Sequence, residues 1–357
     1  MINPDELFMR RCLEMAANGL GHVAPNPMVG SVIVHNGQII GEGYHTGFGK
    51  PHAEVEAVNQ VKDKNLLKES TLYVNLEPCN HIGKTPACSE LIIRSGIPRV
   101  VIGQTDPNGQ AGGGIDRMRE NGTEVITGVL ENEARWLNRR FNTFHEQHRP
   151  YLILKWAQSL DGFVDTLRTD PAKEKPAQIS DEVCRRWVHK WRSEEQAIMV
   201  GAGTMRMDNP RLDVRVWSGK NPVRIVIAPT TGLKPDSKFH LLDGSLPTIV
   251  YTFDESLKFP DLEFVTLTKA APVMNQVLED LYNRDMISVL IEGGPTLHKS
   301  FIESNLWDEA RVFSSQLWLG NGIPAARLPH QPQSIQTAGN SQLLLFTNPH
   351  PLPAVKQ

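Results

Sequence analysis

Cysteine is scarce in this sequence, with four in 357 residues, at Cys12, Cys79, Cys88 and Cys184. That is too few for a disulfide framework in a chain of this length, so the thiols read as metal-binding or catalytic groups in a reducing cytosol. Long apolar runs are missing, and no stretch approaches the ~18 apolar residues that a membrane span requires. The opening residues Met1 to Glu6 offer neither the basic nor the apolar segment of a secretory signal. Neither sign of charge dominates: 37 Lys and Arg face 40 Asp and Glu, a net charge of −3. That balance argues against a protein gripping long nucleic acid by its phosphates. Repeats and low-complexity tracts are also lacking. A 40% hydrophobic and 22% charged composition remains, ordinary for a globular protein. At ~150 residues per domain the length suggests two domains.

The start predicts a helix: Asn3 caps it, Pro4 suits its first position, and Phe8, Cys12, Met15 and Ala16 form one apolar stripe ended by Gly19 and Gly21. Val29 to Val34 and Gln38 to Ile40 flank Asn36-Gly37, a hairpin signal. From His52 helices and strands alternate: helix to Val61, strand Thr71 to Leu76, helix Ser89 to Ser95, strand Arg99 to Ile102, helix Gly114 to Asn121, strand Glu124 to Thr127. A charged helix over Glu131 to Phe144 follows, and Gln147-His148-Arg149-Pro150 reads as the domain boundary. Strands are then expected at Tyr151 to Ala157, Ala197 to Gly201, Val223 to Ile227, Thr248 to Tyr251, Ser288 to Ile291 and Ala310 to Ser314. Thr166 to Ala177 reads as a polar loop, and Asn348 to Gln357 as an edge or tail. The pattern is α/β, sheets with helices on their faces.

The chemistry concentrates in His52-Ala53-Glu54, Glu77-Pro78-Cys79 and Cys88. Two thiolates and one imidazole suit Zn²⁺, and three protein ligands leave a fourth position for water, whose pKa the metal lowers to about 7. Glu54, two residues from His52, can reach the open side and shuttle a proton without ligating. A closed structural zinc site would want a fourth ligand and leave Glu54 without a role. Cys79, after a strand and a proline, is expected at a helix start, where the dipole favours a thiolate. His-x-Glu with Pro-Cys is the signature of zinc deaminases that attack an amino-bearing ring carbon; here eight residues separate the two cysteines.

Four separated stretches share one resemblance: Pro25-Asn26-Pro27-Met28-Val29-Gly30, Gly41-Glu42-Gly43-Tyr44-His45, His52-Ala53-Glu54-Val55, and the run from Glu77 through Asn80-His81-Ile82-Gly83-Lys84-Thr85-Pro86 to Cys88. Together with Asp106-Pro107-Asn108 and Ala111-Gly112-Gly113-Gly114-Ile115 they closely resemble the deaminase half of the bifunctional riboflavin-biosynthesis deaminase/reductase. The resemblance implies a cytidine-deaminase-like three-layer α/β/α domain over residues 1–146. It would act on a diaminopyrimidinone carrying a ribosylamino 5-phosphate, with zinc on His52, Cys79 and Cys88, Glu54 catalytic, and Asn26, His45, His81 and Lys84 lining the substrate pocket. Taken singly, Asn26 also reads as a turn residue, Lys84 as a solvated charge, and Cys12 as core.

In the second half, Val289-Leu290-Ile291 runs through Glu292 into Gly293-Gly294 and a helix opening with Pro295-Thr296. Glycines admit a ligand and a helix start attracts phosphate, although Gly-Gly before a helix is as readily a tight turn. With Leu154 to Gly162, Val200 to Thr204, Asp208-Asn209-Pro210 and Leu212 to Arg215, this segment resembles the reductase half of the same family. That resemblance implies a dihydrofolate-reductase-like domain over 150–357 that uses NADPH to reduce ribosyl to ribityl. Ala157, Thr204, Asp208, Gly294, Pro295, Thr296, Leu297, His298, Lys299 and Ser300 then correspond to cofactor contacts, and Arg192, Leu212, Arg215 and Glu292 to substrate contacts. The chain departs from the family twice. A common Ser-x-Trp-Ile-Thr stretch reads Pro176-Ala177-Gln178-Ile179-Ser180, and an Asp-Ser pair reads Ala228-Pro229. The expectation is a cytoplasmic enzyme of small molecules with no nucleic-acid or membrane partner, homo-oligomerisation being left open. Its rivals are a nucleic-acid-editing deaminase and an active deaminase joined to a non-catalytic second domain.

Overall fold

The computed structural model describes residues 3–80, 86–170, 173–229 and 238–351. The chain divides into two compact units, Met1–Glu146 and Gln147–Gln357. In the first, helix α1 (Pro4–Ala17) opens with the Asn3 side chain accepting the Asp5 N–H. Met9, Cys12, Met15 and Ala16 form its buried face, whereas Phe8, expected on that stripe, is half-buried against Tyr73. Strands β1 (Gly30–His35) and β2 (Gln38–Tyr44) form the expected hairpin, with Asn36 and Gly37 both left-handed at φ 49° and 76°.

Helix α2 (Ala53–Gln60), strand β3 (Thr71–Leu76), helix α3 (Cys88–Ser95), strand β4 (Arg99–Gln104), helix α4 (Gly114–Glu120) and strand β5 (Glu124–Thr127) follow. The sheet runs β2-β1-β3-β4-β5, with β3, β4 and β5 parallel. Alternation along the strands sorts the two faces: Leu72, Val74, Val100 and Ile102 pack with α2, α3 and α4, while Tyr73 and Val101 meet Met9 and Cys12 of α1. This is the expected three-layer arrangement. The charged segment expected as one helix is two, α5 (Glu131–Leu137) and α6 (Arg139–Gln147). They part at buried Asn138, whose Oδ1 accepts the Met28 N–H at 2.8 Å and whose Nδ2 donates to the Met28 carbonyl at 3.0 Å.

The second unit contains strands β6 (Tyr151–Gln158) and β7 (Phe163–Asp165), helix α7 (Glu182–Glu194), strand β8 (Ala197–Gly201), helix α8 (Ala202–Asp208), and strands β9 (Val223–Ile227), β10 (Thr248–Thr252) and β11 (Glu263–Thr266). Helix α9 (Val273–Asn283), strand β12 (Ser288–Ile291), helix α10 (Pro295–Glu303) and strands β13 (Glu309–Ser315), β14 (Ile323–Pro324), β15 (Ser334–Ala338) and β16 (Ser341–Thr347) complete it. Nine strands form one sheet in the order β11-β10-β9-β8-β12-β6-β13-β16-β15, parallel from β11 to β13 and antiparallel beyond. Leu152, Leu154 and Trp156 pack with α9 and α10 on one face; Tyr151 and Ile153 share the other with α7 and α8. Among the described residues no helix is long and apolar enough to cross a membrane.

Candidate active sites

In the first unit the carboxyl end of β3 and the starts of α2 and α3 converge. His52 caps α2, and its Nδ1 lies 3.6 Å from Cys79 Sγ and 3.3 Å from Cys88 Sγ. The three ligand atoms fall within 4.8 Å of one another. Two soft sulfurs and an imidazole so placed fit a zinc ion and leave a tetrahedral position over. The helix placement of the thiols differs from expectation. Cys88, not Cys79, opens α3, and Cys79 lies in the loop after β3. Its Sγ accepts the Cys88 N–H at 3.4 Å, so it feels a helix start from outside. Hydrogen bonding by Cys88, and then by His52, holds the Cys79 thiol down to about 4. Cys88, which donates to Cys79 and is buried, is pushed up.

Glu54, in the first turn of α2, is 3% exposed. Burial, and then the nearby Cys79 sulfur, push its carboxyl up to about 6. A group titrating near neutrality can both take and return a proton. His45 is buried, which pushes its pKa down, so the ring is neutral. Its Nδ1 donates to the Pro51 carbonyl at 3.0 Å, leaving Nε2 to accept from Asn26 Nδ2 at 3.1 Å. Asn26, His45, His52, Glu54 and Cys79 line one cavity of about 250 Å³. His81 and Lys84 lie outside the described residues. Asp106, Asn108 and Phe141 also line the cavity and were assigned no role from sequence. The Asp-Pro-Asn turn directly after β4 was the signal for the first two; Phe141, distant in sequence, gave none.

Glu77, beside the zinc cluster, has a role the sequence did not disclose. Its carboxylate accepts the N–H groups of Asp106 at 3.2 Å, Gly113 at 2.9 Å and Ile115 at 3.2 Å, pinning the loop after β4 beneath Cys79. The loop approaches so closely that a Cβ at Gly114 would stand 1.9 Å from the Pro78 carbonyl oxygen.

In the second unit the carboxyl ends of β6, β8, β9 and β12 border a cavity of about 810 Å³, where open α/β sheets place ligands. Ala157, Thr204, Asp208, Glu292, Gly294, Pro295, Thr296, Leu297 and Ser300 line it. A Cβ on Gly294 would come within 3.3 Å of Thr204 Oγ1, so the starts of α8 and α10 lie close together. A cavity of this volume with two helix starts facing it fits a dinucleotide. The structure does not bring His298 or Lys299 to the lining. The His298 ring is buried with Nε2 donating to the Ile291 carbonyl at 3.1 Å, and Lys299 pairs with Glu303 on the surface.

Arg192, Leu212 and Arg215 also stand off the lining. Arg192 grips Glu292 through two hydrogen bonds of 2.8 and 2.9 Å and donates to the Asp213 carbonyl. Arg215 pairs with Asp213, and Leu212 is buried. Lys155, on the lining but not singled out from sequence, lies 3.7 Å from Glu292. Burial acts to raise Glu292, but Arg192 and Lys155 outweigh it and hold the carboxyl down to about 2. Glu292 is therefore ionised at neutral pH. At the departures from the family pattern, Gln178 is exposed, Ala228 is buried at the end of β9, and Pro176 and Pro229 line the cavity.

The family model of the cytidine and deoxycytidylate deaminase zinc-binding region matches residues 2–104, and that of the RibD C-terminal domain matches residues 150–344. The chain is 41% identical over 325 residues to riboflavin biosynthesis protein RibD of Aquifex aeolicus, covering 89% of each. It is 34% identical over 335 residues to the RibD of Escherichia coli, again covering 89% of each. Among solved structures it resembles the diaminohydroxyphosphoribosylaminopyrimidine deaminase/5-amino-6-(5-phosphoribosylamino)uracil reductase of Thermotoga maritima. That likeness has a TM-score of 0.86 at 37% identity and covers 96% of this chain and 98% of that one. With a deaminase zinc-binding region preceding a reductase domain along nearly its whole length, the chain belongs to the RibD family of bifunctional riboflavin-biosynthesis proteins.

Proposed function

We propose that the chain catalyses two steps of riboflavin biosynthesis with zinc and NADPH as cofactors. A deaminase domain over residues 1–146 hydrolyses the amino group of 2,5-diamino-6-ribosylamino-4(3H)-pyrimidinone 5′-phosphate. A reductase domain over 150–357 then converts the ribosyl group to ribityl. The observation that carries this reading is the His52, Cys79 and Cys88 cluster, whose His52 and Cys79 line the same cavity as the buried carboxyl of Glu54.

His52, Cys79 and Cys88 are assigned as the zinc ligands. The bound ion supplies a Lewis acid and a water acidified toward pH 7. Glu54 takes one proton from the attacking water and gives it to the ring nitrogen, then takes the second proton from the newly formed C–OH and gives it to the amine as the C–N bond breaks and the C=O forms. Ammonia leaves and the carboxylate is restored. The Asn26 amide, held by His45, meets the polar edge of the pyrimidine, and by family correspondence His81 and Lys84 complete the pocket, Lys84 offering its charge to the phosphate.

In the reductase cavity NADPH supplies the hydride. The residues assigned to hold it are Ala157, Thr204, Asp208 and the segment Gly294 to Ser300, of which His298 and Lys299 stand off the lining. Arg192, Leu212, Arg215 and Glu292 are assigned to the substrate, with Glu292 ionised and held by Arg192. The chain's part is positioning and electrostatics. The four cysteines are free thiols, which supports a cytoplasmic setting, and the net charge supports a small-molecule substrate over nucleic acid. Cys88→Ser tests the ligand set: zinc content is expected to fall sharply, and a variant with full stoichiometric zinc would refute the assignment.

A further inference from the structure

Among the described residues three cations line the reductase cavity: Lys155, Arg168 and Arg206. Two have a carboxylate partner. Lys155 lies 3.7 Å from Glu292, which Arg192 also holds, and Arg168, nearly buried, bonds both Asp165 at 2.7 Å and Asp208. Arg206, in the last turn of α8, is exposed, and its side chain makes no hydrogen bond or ion pair among the described residues. The carboxylate nearest to it in sequence, Asp208, is turned instead to Arg168, which it shares with Asp165. Among the described residues the lining thus presents one guanidinium without a direct partner, two residues beyond Thr204 on the helix assigned to the dinucleotide. A guanidinium is suited to two parallel hydrogen bonds to a phosphate monoester.

We propose that Arg206 receives a phosphate monoester in this cavity, namely the 2′-phosphate that distinguishes NADPH from NADH, and so sets the dinucleotide preference. Arg168 serves it by keeping Asp208 from competing for the guanidinium. The inference rests on the placement of the cofactor in this cavity. The substrate's 5-phosphate offers the same chemistry, but the substrate assignments gather around Glu292 and Arg192, whereas Arg206 shares α8 with Thr204 and Asp208.

The test is fluorescence titration of the full chain with NADPH and, separately, with NADH, comparing wild type with Arg206→Gln and Arg206→Lys. The expected result is a loss of NADPH affinity of about tenfold or more in Arg206→Gln with NADH affinity kept within about twofold, and partial recovery in Arg206→Lys. Residue 206 is exposed, so neither variant threatens folding. Equal losses for both dinucleotides, or no loss, would overturn the assignment. So would an unchanged NADPH-to-NADH ratio with a raised KM for the deaminated substrate, which would give the phosphate to the substrate. If wild type binds neither dinucleotide saturably, the cavity assignment itself fails and Arg206 falls with it, an outcome distinct from failure of Arg206 alone.

Discussion

Replacing Gly114 by alanine tests whether the loop behind Cys79 sets the metal geometry. The new Cβ would stand 1.9 Å from the Pro78 carbonyl oxygen, backbone against backbone. A carbon and a carbonyl oxygen settle near 3.3–3.6 Å, so the two segments must part by roughly 1.4 Å or more. The φ of Gly114 is not left-handed, so space and not dihedral strain is what alanine violates. Neither side yields easily, because Glu77 holds Gly113 and Ile115 on both flanks of the glycine. Pro78 is bonded to Cys79, and metal–ligand distances tolerate only about 0.2 Å. We expect overpacking to cost about 1–3 kcal/mol of stability, lowering the thermal midpoint by roughly 3–10 °C, and zinc affinity to fall about 10- to 100-fold. Zinc affinity is read by chelator competition with elemental analysis, and stability by calorimetry. Gly109→Ala is the control, since a Cβ there meets nothing within 4 Å. Wild-type zinc affinity and midpoint in Gly114→Ala would refute the reasoning.

Glu54→Gln keeps the shape but cannot take the water's proton, so zinc should stay while deamination falls by ~10² or more; near-wild-type turnover would remove Glu54 from the mechanism. Gln178→Trp restores the aromatic usual in the family, and because residue 178 is exposed the ring can be accommodated. NADPH should bind about three- to tenfold tighter, and unchanged affinity in titration would show that position 178 does not touch the cofactor. Burial pushes His189 and His298 down to about 4 from an ordinary 6.5. The unfolded chain therefore binds more protons between those values, and the second unit should lose stability as pH falls from 6.5 to 4. All tryptophans but Trp136 lie in that unit, so a tryptophan-fluorescence midpoint that stays flat over this window would contradict the assignment.

The zinc cluster and most strands were legible in the sequence because each rests on local chemistry. Ligand types sit at recognisable spacings, and apolar runs such as Val289 to Ile291 occupy parallel strands buried on both faces. What stayed hidden depends on distant partners. The break at Asn138 comes from a bond to Met28 across 110 residues, whereas the local charge pattern reads as one helix. The pinning role of Glu77 needs the fold to bring Gly113 and Ile115 beneath it. Cys79 was expected to open a helix because strand, proline and cysteine suggest one, but the chain delays α3 until Cys88. The edge strand β15, mostly exposed, lacks the buried alternation that marks the inner strands. The resemblance implied only that Arg192 contacts substrate, and the structure revealed its grip on Glu292.

The claim that one chain carries both activities is tested most directly by mass spectrometry of products formed from the diaminopyrimidinone phosphate by zinc-loaded protein, with and without NADPH. The account predicts that without NADPH one amino group is replaced by oxygen, and that with NADPH the same product gains two hydrogens in its sugar. Unchanged substrate in both samples, or a deaminated product that NADPH leaves unreduced, would contradict it.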